Sequence, residues 1–308
     1  MPKTADDPLP LLIKALRSRT ATDRVRAAKD LGRLGSLARD ALTPLSVLLR
    51  DDDAKVREAA AQAVGQMGAA ALPALREMLA HSDKYVRRNA VWAMGKLGVE
   101  AKPALDALCR ALKDADPRTA SGAAQAIGNM GEIAVDGIPA LTEAMRGTNI
   151  VLCRLAAKAL SQIGKPAVST LVAHLQHADP FVRGEAALAI GWLGPAARAA
   201  VPYLIQLVRG RESRSLRDTP PPASALPLSA VVPNPADDDS TELVTPVSAP
   251  AAPVATPDET CRVYAAQALG RVGPGAVSAL AELRNAARTG PDALRLVAEQ
   301  AVKLIEAS

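Results

Sequence analysis

In the stretch Phe181–Gly194, FVRGEAALAIGWLG, apolar residues fall at Val182, Ala186, Ala189, Ile190 and Leu193. Steps of three and four place them along one side of an α-helix, the side a core covers. The same pattern recurs through the chain. Asp53, Asp83, Asp116, Asp179 and Asp258 each open a copy ending in Gly-x-x-Gly, and Asn149 opens a looser one. Asp or Asn in that place accepts hydrogen bonds from the unpaired amides of a first helical turn. The final glycine supplies the left-handed residue that ends the helix. A shorter helix precedes each copy, with proline near its start at Pro44, Pro73, Pro103, Pro139 and Pro202. There the missing N–H would have had no partner in any case. A pattern repeated at this period predicts stacked helical pairs, none of which buries its apolar face alone.

The pairs divide residues 9–308 into eight repeats: 9–36, 37–69, 70–99, 100–132, 133–165, 166–195, 196–274 and 275–308. The fold expected is all-α, a right-handed α-solenoid of about eight helical hairpins, preceded by a polar tail over residues 1–8. The seventh repeat is long because residues 211–257 are inserted between its two helices. That segment is rich in proline, serine and alanine and buries too little to offset its ordering entropy, which predicts disorder. It reads either as a tolerated loop or as a tethered peptide, with an acidic run at Asp237–Glu242.

Composition narrows the function classes. Aromatic residues are only 2% of the chain, so the core is built of Ala, Leu and Val. No uncharged apolar run of eighteen residues is found, so no membrane span is expected, and the N-terminus lacks the order of a signal peptide. A cytoplasmic protein is expected. Cys109, Cys153 and Cys261 are too far apart for a metal site or a disulfide framework. His81, His174 and His177 are isolated, with His81 and His177 at equivalent loop positions. Neither cofactor nor metal is expected, and no nucleophile–base set or phosphate loop is found.

Two sets of positions remain. Four residues into the long helices sit Arg57, Arg87, Arg183 and Arg262, with Ala120 and Cys153 in the other copies. They read as a phosphate-binding stripe or, as the regular spacing favours, as a structural ladder with Asp53, Asp83, Asp179 and Asp258. The second set lies off the buried stripe, at offsets 2, 5, 6, 9 and 13 from the Asp. It holds Tyr85, Trp92, Phe181, Trp192 and Tyr264 together with Arg88, Lys96, Arg118, Arg154, Lys158 and Arg271. Exposed aromatic and arginine side chains dominate binding hot spots.

The motif D-x-x-V-R-x-x-A-A-x-A-L-G-x-x-G, clearest at Asp53–Gly68 and Asp179–Gly194, resembles HEAT repeats of the short, bilin-lyase-like type. The resemblance implies that the long helices line a concave, partner-binding surface. Related deoxyhypusine hydroxylases bind iron through His-Glu pairs, and no histidine here is followed by Glu. The function expected is therefore a non-enzymatic module that binds a protein partner, with an acidic or extended segment, in a basic-aromatic groove through the second to seventh repeats. Nucleic-acid binding in the same groove is the first alternative. A bilin-lyase-like accessory subunit, the one enzymatic reading, is the second.

Overall fold

A computed structural model describes residues 8–210 and 256–307. The polar tail up to residue 7 and inserted residues 211–255 lie outside the described residues. Within them the chain is all-α, an α-solenoid of eight successive helix pairs. The first members are α1 (Leu9–Ala15), α3 (Leu42–Leu48), α5 (Leu72–Leu79), α7 (Leu105–Ala111), α9 (Ile138–Met145), α11 (Val168–His174), α13 (Val201–Arg209) and α15 (Leu280–Thr289). The second members are α2 (Ala21–Leu34), α4 (Ala54–Gln66), α6 (Lys84–Leu97), α8 (Pro117–Asn129), α10 (Ile150–Ile163), α12 (Pro180–Leu193), α14 (Pro257–Val272) and α16 (Asp292–Glu306). Short 3₁₀ turns join each second member to the next pair. Two compact units result, divided between Ala140 and Leu141.

Local chemistry explains the breaks. Asp53, Asp83, Asp116, Asn149 and Asp179 each accept a backbone amide at the start of their helix. Asp258 does not. The N-cap of α14 is Thr256, locked with Glu259 in a reciprocal capping box, and Asp258 lies inside the first turn. Thr256 and Glu259 supply the box, with Pro257 at the first helical position, so the cap falls two residues before the Asp. At the other end Gly194 turns the chain with φ +57°. Pro103 falls in the 3₁₀ turn before α7, not in the helix.

The buried stripe is wider than the periodicity predicts. In α12 every residue from Val182 to Gly191 is buried, Glu185 and Leu188 included, while Leu193 is only half-buried. The cause is side-by-side packing of successive second members, α12 lying against both α10 and α14. Offsets 5 and 6, expected to face outward, are covered by a neighbouring long helix at Arg88, Asn89, Gly184 and Glu185. The stretch Pro180–Arg209 is long and apolar enough to cross a membrane by length and composition alone, though it carries Arg183, Glu185 and Arg198. Gly194 and a 3₁₀ turn divide it into α12 and α13.

Candidate functional site

The outward rows of the long helices form one face in each unit. On the first, Tyr85, Arg88, Trp92 and Lys96 follow one another along α6 at steps of three and four, which aligns them. Tyr85 is half-buried at the start of the helix. Its ring has the cationic groups of Lys84 and Arg88 at 5.1 Å and of Arg57 at 5.3 Å from its centroid. Trp92 is also half-buried, with the exposed Lys96 ammonium 5.1 Å from its ring. Such contacts hold cations over aromatic faces for about 0.5–1 kcal/mol each at exposed sites. Arg118, in the first turn of α8, is half-buried on the same unit.

Arg88 departs from its expected role as an exposed contact. It is only 5% exposed and forms a two-pronged pair with Asp116, Nε to Oδ2 at 2.7 Å and Nη2 to Oδ1 at 2.6 Å. Asp116 also accepts the Thr119 amide and hydroxyl. Burial pushes the Asp116 carboxyl up, but Arg88 and Thr119 outweigh it and hold it at about 2. The pair ties α6 to the cap of α8, so Arg88 positions the face rather than forming its surface.

On the second unit Arg154 of α10 leans over Phe181, 5.9 Å from the ring centroid, and donates Nε to Glu185 at 3.0 Å. Glu185 is 1% exposed, and burial raises its pKa against the pull of Arg154. Tyr264 is half-buried, filling the space a side chain would need at Gly184, its ring 3.3 Å from the Cβ position there. Lys158, Trp192 and Arg271 are exposed, Trp192 at 41%. Of the residues of the expected groove, Tyr85, Arg88, Trp92, Lys96 and Arg118 belong to the first unit and Arg154, Lys158, Phe181, Trp192, Tyr264 and Arg271 to the second.

Among the described residues Asp258 is the one expected ladder acid that pairs with a ladder arginine, and Arg87 uses a loop aspartate of the next repeat instead. Asp53, Asp83 and Asp179 cap helices and form no ion pair with the arginines. Arg87 instead binds Asp114, at 2.7 and 2.9 Å, and Arg24 binds Asp51. Arg183 pairs with Asp258, and Arg262 donates to the Val208 carbonyl at 2.9 Å. Asp51 and Asp114 stand two residues before a cap, a place the copies fill variably, so the repeated motif did not mark them. The aliphatic residues Leu37 and Val99, 80% and 61% exposed on the 3₁₀ turns of the first unit, were missed for the same reason.

Burial leaves little conventional reactivity. The Cys153 and Cys261 thiols are each pushed up to about 12, and burial raises Cys109 too. His81 and His177 each accept, through Nδ1, the amide of a cap residue, Asp83 at 2.9 Å and Asp179 at 3.1 Å. His174 is buried, its Nδ1 2.8 Å from the Thr170 carbonyl. Among the described residues no group of three or more His, Cys, Asp or Glu is placed to hold a metal ion.

Comparison with known proteins places this geometry. A sequence model described as HEAT repeats matches residues 9–84, 72–151 and 138–219. No curated protein matches. Among solved structures, Kap121p is similar at 14% identity and a TM-score of 0.53, over 96% of this chain and 33% of that one. The complex of CpcE and CpcF of phycocyanin lyase from Nostoc sp. PCC7120 is 26% identical, with a TM-score of 0.41, over 67% of this chain and 90% of that one. Human deoxyhypusine hydroxylase is 21% identical, with a TM-score of 0.36, over 97% and 96%.

Proposed function

The chain belongs to the HEAT-repeat family, and on that premise we propose that it is a non-enzymatic, cytoplasmic protein-binding module. Its partner carries an acidic or extended segment and docks on the aromatic-basic faces of the long helices. One observation carries the reading. A chain with so few aromatic residues fully buries none of them, and it sets Tyr85, Trp92 and Phe181 beside cations, as at Tyr85 with Lys84, Arg57 and Arg88. The aromatic rings supply rigid apolar anchors, and Lys96, Lys158 and Arg271 supply exposed charge around them. Charge of that kind speeds encounter and selects partners more than it adds affinity.

The test is partner capture by chains carrying Trp92→Ala, Trp192→Ala or Lys96→Glu. Each is expected to lower capture at least tenfold while leaving the helical signal and melting temperature within error of the parent. Undiminished capture by all three contradicts the reading. Nucleic acid is the competing ligand, and its binding would fall steeply with salt through released counterions. A fluorescence titration with a DNA or RNA oligonucleotide at 50 mM and 200 mM salt is expected to show no saturable binding at either (a salt range of the order used to expose such contacts).

A further inference from the structure

The first glycine of each Gly-x-x-Gly does more than let long helices approach. On the first unit it seats a side chain of the long helix that follows. The Gln66 carboxamide oxygen lies over Gly32, in the space a Cβ would need. The Lys96 Cβ lies 3.5 Å from the Cβ position at Gly65, and the Asn129 carboxamide nitrogen 3.7 Å from that at Gly95. All three seated residues stand thirteen places beyond their Asp, and all three are exposed. One turn earlier, nine places beyond the Asp, stand the exposed Gln62 and Gln125 and the half-buried Trp92. Residues four apart are neighbours on a helix surface, and α6 packs beside both α4 and α8. The six residues therefore make a platform two deep and three helices wide.

The platform is polar yet free of acids. In the six copies opened by Asp or Asn these two places number twelve, and none holds Asp or Glu although the chain has 32 of them. Nothing in these rows repels an acidic segment. On the first unit four of the six residues are carboxamides, and only Lys96 is basic. A phosphate backbone is met by cations, whereas a carboxamide both donates and accepts, as a peptide group does. Asn129 donates Nδ2 to the Gly95 carbonyl at 3.1 Å, which fixes the group and leaves Oδ1 to accept. The carboxamides of Gln62, Gln66 and Gln125 are engaged by no other described residue. Helices packed about 8–10 Å apart and a strand rising about 3.3 Å per residue place successive helices about three residues apart along an extended chain.

We infer that this platform bonds the main chain of an extended, acid-bearing segment of the partner, running across α4, α6 and α8. The carboxamides of Gln62, Gln66, Gln125 and Asn129 meet its peptide groups, Trp92 takes an apolar side chain, and Lys96 takes a carboxylate. The inference rests on the proposal that the long-helix faces receive the partner, and it adds how the first face reads that partner: by backbone more than by sequence.

The test is fluorescence anisotropy with the full chain and a labelled, end-capped nonapeptide of three Glu-Leu-Ser units, beside an analogue with alternate amides replaced by esters. The esters remove N–H donors and keep the side chains. The peptide is expected to bind saturably and the analogue about tenfold more weakly, several ordinary hydrogen bonds being lost. Gln62→Ala and Gln125→Ala are each expected to weaken peptide binding about threefold, the size of one such bond, and to weaken the analogue less. Trp92→Ala is expected to weaken both ligands alike. If Trp92→Ala weakens binding while the esters and the glutamine variants do not, the face stands and main-chain recognition is overturned. If Trp92→Ala has no effect either, the reading of the face falls with it. No saturable binding of the nonapeptide to the parent chain also overturns the inference.

Discussion

Asp116 and Glu185 are both buried carboxylates paired with arginine, yet their environments push them in opposite directions. Asp116 receives two bonds from Arg88 and two from Thr119, which outweigh its burial and lower its pKa to about 2. A carboxyl lowered on folding stabilises the fold above its unfolded pKa, and the gain disappears as pH falls towards the folded value. Asp116→Asn is therefore expected to cost on the order of 1–2 kcal/mol at pH 7. The cost should shrink between about pH 4 and pH 2, read by urea unfolding of parent and variant at each pH. Glu185 accepts Nε of Arg154 and is raised by burial. Its ionised form therefore opposes folding above the unfolded pKa, and that opposition fades as pH falls through the folded one. Glu185→Gln is expected to leave the neutral-pH midpoint unchanged or higher; a clear drop would show that the ion pair outweighs the burial.

Between helices, the first glycine of each Gly-x-x-Gly has a role that its helical position hides. Gly65, Gly191 and Gly270 sit inside long helices, where glycine costs about 1 kcal/mol relative to alanine. A Cβ at Gly270 would lie 2.9 Å from the Ala301 backbone, and one at Gly191 3.2 Å from Ala268 Cα. At Gly65 the nearest atoms are 3.5 Å away, an ordinary contact. Gly270→Ala is thus expected to destabilise the second unit by about 1–3 kcal/mol through overpacking. Gly65→Ala is expected to be neutral or stabilising by up to about 1 kcal/mol. Thermal unfolding of the two variants checks the contrast, and equal effects would mean the close approach of long helices does not set the glycine. The helices themselves were legible in the sequence because caps, prolines and three-four spacing are local signals. The covered rows were not. Whether offset 5 faces solvent or a neighbour depends on how closely successive long helices approach, and alanine and glycine permit an approach that periodicity alone does not reveal. Arg88 is covered for that reason, whereas Asp258 loses its cap role to a local competitor, Thr256 in its box with Glu259.

For the whole molecule, the family and the all-α architecture follow from repetition, which is why they could be read from the chain. Function depends on departures from the repeat, and these carry weaker signals. Trp192, Lys158 and Arg271 lie exposed on the second unit, and Lys96 lies exposed beside the half-buried Trp92 on the first. The central claim is that the long-helix faces, rather than the aliphatic 3₁₀ edge, receive the partner. Hydroxyl-radical footprinting of the chain, alone and with the captured partner, tests it most directly. The account predicts that partner binding lowers oxidation of Trp92 and Trp192 several-fold while Leu37 and Val99 keep their free-chain rates. Protection of Leu37 and Val99 with both tryptophans unchanged would contradict it.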